Sequence, residues 1–139
     1  MVQIAKVAAT EPKEIKSEDY GPMTDPANVR RFLEDYFSDM PQLVRIGQCE
    51  SHFRQFNKHG QVQRGEKNSY DVGVMQINEL YHADEAKALG IDIYTIDGNV
   101  AFARKLYERS GDKPWKSSSP CWSKSEDLAI NPSAQAGKN

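Results

Sequence analysis

The chain has 139 residues, 38% of them hydrophobic, and a formal charge of -2 at pH 7, a size suited to one ordinary domain. Its Lys and Arg residues are scattered with no basic block, which argues against a nucleic-acid surface, and no apolar run approaches a membrane span. The opening Met1-Val2-Gln3-Ile4-Ala5-Lys6 is too short and polar for a signal peptide.

Residues 1–24 mix Lys, Glu, Pro and Thr with few large apolar groups, so a flexible lead-in is expected there. Asp25 is a suitable N-cap and Pro26 a suitable first helical residue. Val29, Phe32, Leu33, Tyr36 and Phe37 then form the stripe of an amphipathic helix. Asp39 reads as a second N-cap, with Pro41 in the first turn. Leu43, Ile46, Gly47 and Glu50 share one face of the helix that follows.

Beyond Phe53 the pattern changes. Asn57-Lys58-His59-Gly60 and Gly65 are turn signals, and Gln61-Val62-Gln63 alternates as a short strand would. A two- or three-stranded antiparallel element is expected. Tyr81–Leu89 reads as a helix closed by Gly90. Another runs from about Asp97 to Ser110, stopped by Gly111, with Val100, Ala103, Leu106 and Tyr107 facing inward. Residues 123–139 again hold few large apolar groups and read as a flexible tail. The expected domain is thus 25–122, of α+β class, mostly helical with a small antiparallel β-hairpin.

Within this frame Glu50 stands out, because an acidic side chain on an apolar stripe is held toward the core. Burial raises a carboxyl pKa and keeps the group protonated near neutral pH, which is what a general acid for glycosidic cleavage requires. The plainer reading is a surface charge paired with Arg54 one turn on. Asp71, a second acid, follows in a turn region. It reads either as a second catalytic carboxylate or as a turn residue that accepts backbone N–H bonds. Cys49 and Cys121 have no metal or redox spacing, and read as two core thiols or as a disulfide closing a long loop. No His pair, phosphate-binding glycine loop, nucleophile elbow or EF-hand spacing occurs, so no metal and no cofactor is expected.

Cys49-Glu50-Ser51, followed by Ser69-Tyr70-Asp71-Val72-Gly73-Val74-Met75-Gln76-Ile77-Asn78, resembles the lysozyme-like superfamily. Glu50-Ser51, Gly73-Val74-Met75-Gln76 and the helix near Gly98-Asn99 are similar to the first three motifs of soluble lytic transglycosylase domains. The segment around Asp71 equally resembles the stretch of animal-type lysozymes that carries their second carboxylate. Cys49 before Glu50, with Pro120-Cys121-Trp122, resembles resuscitation-promoting factor domains, in which the matching cysteines pair. The resemblance covers roughly residues 40–122. The A-Y-N-x-G tyrosine motif that usually ends the transglycosylase domain is absent; Tyr94 or Tyr107 is the candidate to stand in for it.

This resemblance implies a muramidase acting on the β-1,4 bond between N-acetylmuramic acid and N-acetylglucosamine of peptidoglycan strands. Glu50 would be the general acid. Asp71 would be nucleophile or stabiliser if the product is hydrolysed, and dispensable if the sugar's own C6 hydroxyl attacks to leave a 1,6-anhydro end. Gly73 would admit the glycan close to the backbone. Ser51, Met75, Gln76, Asn78, Tyr94 and Trp115 would contact substrate, although Met75 also reads as core and Trp115 and Trp122 as core plugs. A Cys49–Cys121 disulfide would imply an extracellular or periplasmic setting, with any signal or anchor lying outside this sequence, and a monomer is the default. The competing expectations are a non-catalytic glycan-binding module on the same scaffold and a chitin-active relative.

Overall fold

A computed structural model describes residues 14–130, with side chains through Lys124. Helix α1 spans Pro26–Tyr36, capped by Asp25, whose carboxylate accepts the Ala27 N–H. It buries Val29, Phe32 and Leu33, and Phe37 closes it from the C-cap position. Helix α2, Pro41–Ser51, buries Leu43, Ile46 and Gly47. A Cβ on Gly47 would stand 2.9 Å from Leu33 Cδ2 and 3.2 Å from Met75 Sδ, so its bare backbone lets two neighbours close onto the helix that carries Glu50.

Asp39 does not cap α2, which corrects the sequence expectation. Met40 occupies the N-cap without a side-chain bond. Both Asp39 oxygens instead accept from the Arg104 guanidinium, at 2.9 and 3.0 Å. A planar fork matched to a carboxylate out-competes a lone backbone N–H. Helix α4, Ile96–Ser110, carries Arg104. That side chain also donates to the Tyr36 carbonyl and lies over the Tyr36 ring at 5.0 Å, so it fastens α4 to the α1–α2 corner.

The sheet is two-stranded and antiparallel, β1 Asp71–Val72 against β2 Ile77–Asn78, with Asp71 opposite Asn78. The strand expected at Gln61–Gln63 is not one. The described chain there makes only isolated bridges, Phe56 with Val62 and Arg64 with Val72. A turn closing at Gly60 and a bend just after Gly65 flank the stretch, and each bridge faces a different partner, so no ladder propagates. Helix α3 spans Glu79–Ala88, capped by the Asn78 side chain, and Gly90 follows in the left-handed region at φ 74°. Helix α4 is capped by Thr95 and buries Val100, Phe102, Ala103 and Leu106. A 3-10 segment, Lys113–Ser118, then leads into α5, Ser119–Ile130.

The ordered unit is wider than 25–122. Ser17–Tyr20 forms a 3-10 turn docked on α1. Its Ser17 N–H and hydroxyl both donate to the Asp97 carboxylate, and Tyr20 donates to Asp35. Ile15, Tyr20 and Met23 pack on the core as well. Few apolar residues suffice here because a carboxylate at the start of α4 supplies the anchor. At the other end α5 carries the backbone eight residues past Trp122. Residues 1–13 and 131–139, the remainder of the expected lead-in and tail, lie outside the described residues.

The architecture is therefore α+β, mostly helical, around one core. Helix α2 packs against α1, the Lys113–Ser118 segment and α5. Among the described residues no helix is long and apolar enough to cross a membrane.

Candidate active site

Glu50 sits in the last turn of α2, after which the chain reverses through two consecutive left-handed residues, His52 (φ 57°) and Phe53 (φ 62°). Non-glycine residues adopt this region at a cost of roughly 1 kcal/mol each. Phe53 is buried, so its burial in the core holds the turn that ends the helix at Glu50. Cys49, the preceding residue, is joined to Cys121 of α5 by a disulfide, with the Cα atoms 6.0 Å apart.

Across from α2 lies the tight turn Gly73–Gln76 between β1 and β2. Two buried amide side chains hold it. Gln55 accepts the Val74 N–H at 2.8 Å and donates to the Tyr94 carbonyl; Asn99 accepts the Met75 N–H at 2.8 Å and donates to the Val72 and Ile93 carbonyls. Ser51 adds a third tie, its hydroxyl 2.8 Å from the Val74 carbonyl. These bonds satisfy a turn that would otherwise bury unpaired polar groups.

They also change the reading of three residues. Gly73 has φ 79°, and a Cβ there would meet Asn99 Nδ2 at 2.3 Å. The space a side chain would fill there is thus taken by the Asn99 amide. Ser51 is buried against Val74, and Met75 is completely buried with its thioether against α2, so neither lines the cleft described below. Gly73→Ala is expected to lower stability by about 2–3 kcal/mol, through positive φ and loss of the Asn99 bonds. Chemical denaturation would check this, and an unchanged midpoint would refute it.

The turn and the end of α2 form two walls of a cleft of about 270 Å³. Glu50 and Asp71 both line it, with Gln76 and Asn78 beside Asp71 and with Ile77, Leu106 and Trp115 as the apolar floor. Tyr81 and His82 of α3 and Pro114 and Ser117 complete the rim. Burial pushes the Glu50 pKa up, and the charge of Asp71 pushes it the same way; the hydroxyl of Ser118, hydrogen-bonded to Glu50 Oε2, opposes them. Burial also raises the pKa of Asp71, opposed by the Asn78 amide that donates to its Oδ1 at 3.1 Å. His82, its ring tilted against that of Phe102 at 5.2 Å, has its pKa lowered chiefly by burial.

Of the residues singled out from the sequence, the cleft therefore gathers Glu50, Asp71, Gln76, Asn78 and Trp115. Asn78 has two tasks: its amide nitrogen serves Asp71 while its carbonyl oxygen caps α3 through the Tyr81 N–H. Gln76 is held at φ 53° with its amide donating to the Gly73 carbonyl at 2.9 Å. Trp115 is only 3% exposed, and its indole donates to the Met75 carbonyl at 2.8 Å, so it is a core plug that also lines the cleft. Tyr94 lies elsewhere. Its hydroxyl donates to Glu79 at 2.6 Å, and its ring borders a separate, apolar groove beside Ile91 and Ile93.

Sequence reading missed Gln55, Asn99 and Ser118. Asn99 carried a partial signal, since it falls in the motif noted at the start of α4. Gln55 and Ser118 carried none, because their partners lie 19 and 68 residues away. Among the described residues no group of three or more His, Cys, Asp or Glu side chains could hold a metal ion. No protein-family model, no curated protein and no solved structure matches this chain.

Proposed function

We propose that the chain is a lysozyme-like glycosidase that cleaves the β-1,4 bond between N-acetylmuramic acid and N-acetylglucosamine in peptidoglycan. The observation that carries this reading is a pair of carboxyls on one cleft in unequal surroundings. Glu50 is the more deeply set, and a neighbouring negative charge further disfavours its ionisation. Asp71 has an amide donor that favours its charged form. Surroundings that differ in this way divide the pair into an acid and a base or nucleophile.

In this mechanism neutral Glu50 gives its proton to the leaving glycosidic oxygen as the C–O bond breaks. Ionised Asp71 stabilises the oxocarbenium-like centre or attacks it, and water completes the reaction. Asp71 on the cleft wall favours hydrolysis over 1,6-anhydro formation, which has no use for a second acid. Glycans reach such a site outside the reducing cytoplasm, and the Cys49–Cys121 disulfide supports an extracellular or periplasmic setting.

The test is digestion of purified sacculi followed by mass spectrometry of the released muropeptides. Hydrolysed ends are one water heavier than 1,6-anhydro ends, so anhydro products would reverse the role given to Asp71. Saturable binding with no soluble fragments would instead show a glycan-binding module, and turnover of chitooligosaccharides alone would move the substrate to chitin. The rate is also expected to be bell-shaped in pH, falling on the alkaline side as Glu50 ionises and on the acid side as Asp71 is protonated. Because both pKa values are raised, both limbs lie above the positions that unperturbed carboxyls would give.

A further inference from the structure

Ser118 lies behind the cleft, not on its wall, yet its hydroxyl is the hydrogen-bond partner of Glu50 Oε2. A serine has one proton to give and two lone pairs. The indole N–H of Trp122, which can only donate, points at Ser118 Oγ from 3.1 Å and at the Trp115 carbonyl from 3.1 Å. The serine proton has two acceptors in reach, Glu50 Oε2 and the Trp115 carbonyl at 3.0 Å. An ionised carboxyl oxygen is the stronger acceptor of the two, and the Trp115 carbonyl divides its two lone pairs between the indole N–H and this hydroxyl. Hence the hydroxyl is polarised by Trp122 on one side and donates to Glu50 on the other.

We propose that Ser118 is a positioning residue for Glu50, donating to Oε2 and thereby leaving the acid proton on Oε1, the oxygen free to face the cleft. Two hydrogens cannot lie between Ser118 Oγ and Oε2, so a neutral Glu50 that keeps Ser118 as its donor carries its proton on the other oxygen. During cleavage the Oε1–H bond breaks and an O–H bond forms on the leaving oxygen, while the glycosidic C–O bond breaks with its electron pair going to that oxygen. The Ser118 proton never moves; it meets a neutral acid before the step and a carboxylate after it. The contact is held by a covalent ring, since Cys121, three residues on, is bonded to Cys49 beside Glu50.

This inference rests on Glu50 being the acid of the proposed reaction, and its test separates the two. The remaining titratable groups on the cleft are Asp71 of β1 and Tyr81 and His82 of α3, none of which is a hydrogen-bond partner of Ser118. Ser118→Ala and the matched pair Ser118→Thr and Ser118→Val would be assayed on soluble glycan strands across pH. In parallel the Glu50 carboxyl would be titrated by carbon-13 NMR. Ala is expected to lower kcat about tenfold with KM little changed, the loss of one charge-assisted hydrogen bond. The alkaline limb and the Glu50 titration should both move to higher pH, because the lost donor favoured the ionised form. Thr should restore both readouts and Val should not, a comparison at equal volume that decides the matter even if the Ala variant fails to fold. An unmoved Glu50 titration in the Ala or Val variant would overturn the proposal. Absence of cleavage by the unsubstituted protein would overturn the glycosidase reading alone, since the titration needs no turnover.

Discussion

Glu50→Gln is expected to slow glycan cleavage by roughly a thousandfold, the scale of losing a general acid, while the fold is kept. Gln is nearly the same shape and can still accept the Ser118 hydroxyl, so the packing around α2 has no reason to change. The stability arm has a definite sign. Folding raises the Glu50 pKa, so the folded state favours the protonated carboxyl. That contribution is whole below the ordinary carboxylate range and is lost as pH rises through the raised value. Replacing the acid by a permanently neutral amide should leave Tm unchanged in acid and equal or slightly higher at neutral pH. Calorimetry at two pH values beside a sacculus-clearing assay would show this. Full activity in the variant would remove Glu50 from the mechanism, and a large fall in Tm would mark it as structural.

Breaking the Cys49–Cys121 bond should have the largest effect on stability. The bridge joins residues 72 apart. A loop of that length corresponds to about 4 kcal/mol in the chain-entropy account, less any change in native packing. For a domain of this size the double variant Cys49→Ser, Cys121→Ser should melt about 20 °C lower. Activity should fall before global unfolding, because the bridge holds the segment bearing Trp115 and Ser118 against the end of α2. A thermal scan with and without reductant, and activity at a temperature where both forms stay folded, would test this. Equal melting temperatures would show that packing by Trp115 and Trp122 alone holds the segment.

Local patterns were the legible portion of the chain. The α1 stripe appears as read, and so does its Asp25-Pro26 start. The final helix of the expected domain also ends at Gly111. These depend on neighbours three or four residues apart, where spacing alone carries the signal. Asp39 misled because a good N-cap residue is equally a good partner for an arginine, and Arg104 lies 65 residues away. Gln61–Gln63 misled because alternation marks a strand only where a partner chain runs alongside for several residues. The docked Ser17–Tyr20 turn was unreadable for the same reason, its anchor Asp97 being 80 residues distant.

The sequence by itself determined the helical stripes, the turns that separate them, and the two carboxyls on which the proposed chemistry depends. It did so because an acid on an apolar face is a local anomaly, visible without knowing what lies opposite. Only the tertiary structure decided that Asp71 shares the cleft with Glu50, and that Ser51 and Met75 are core supports. It also showed that Gly73 makes room for Asn99 and that Ser118 bonds the Glu50 carboxyl. Those facts concern which surfaces meet. They follow from burial and hydrogen-bond satisfaction across the whole core, which no short window of residues contains.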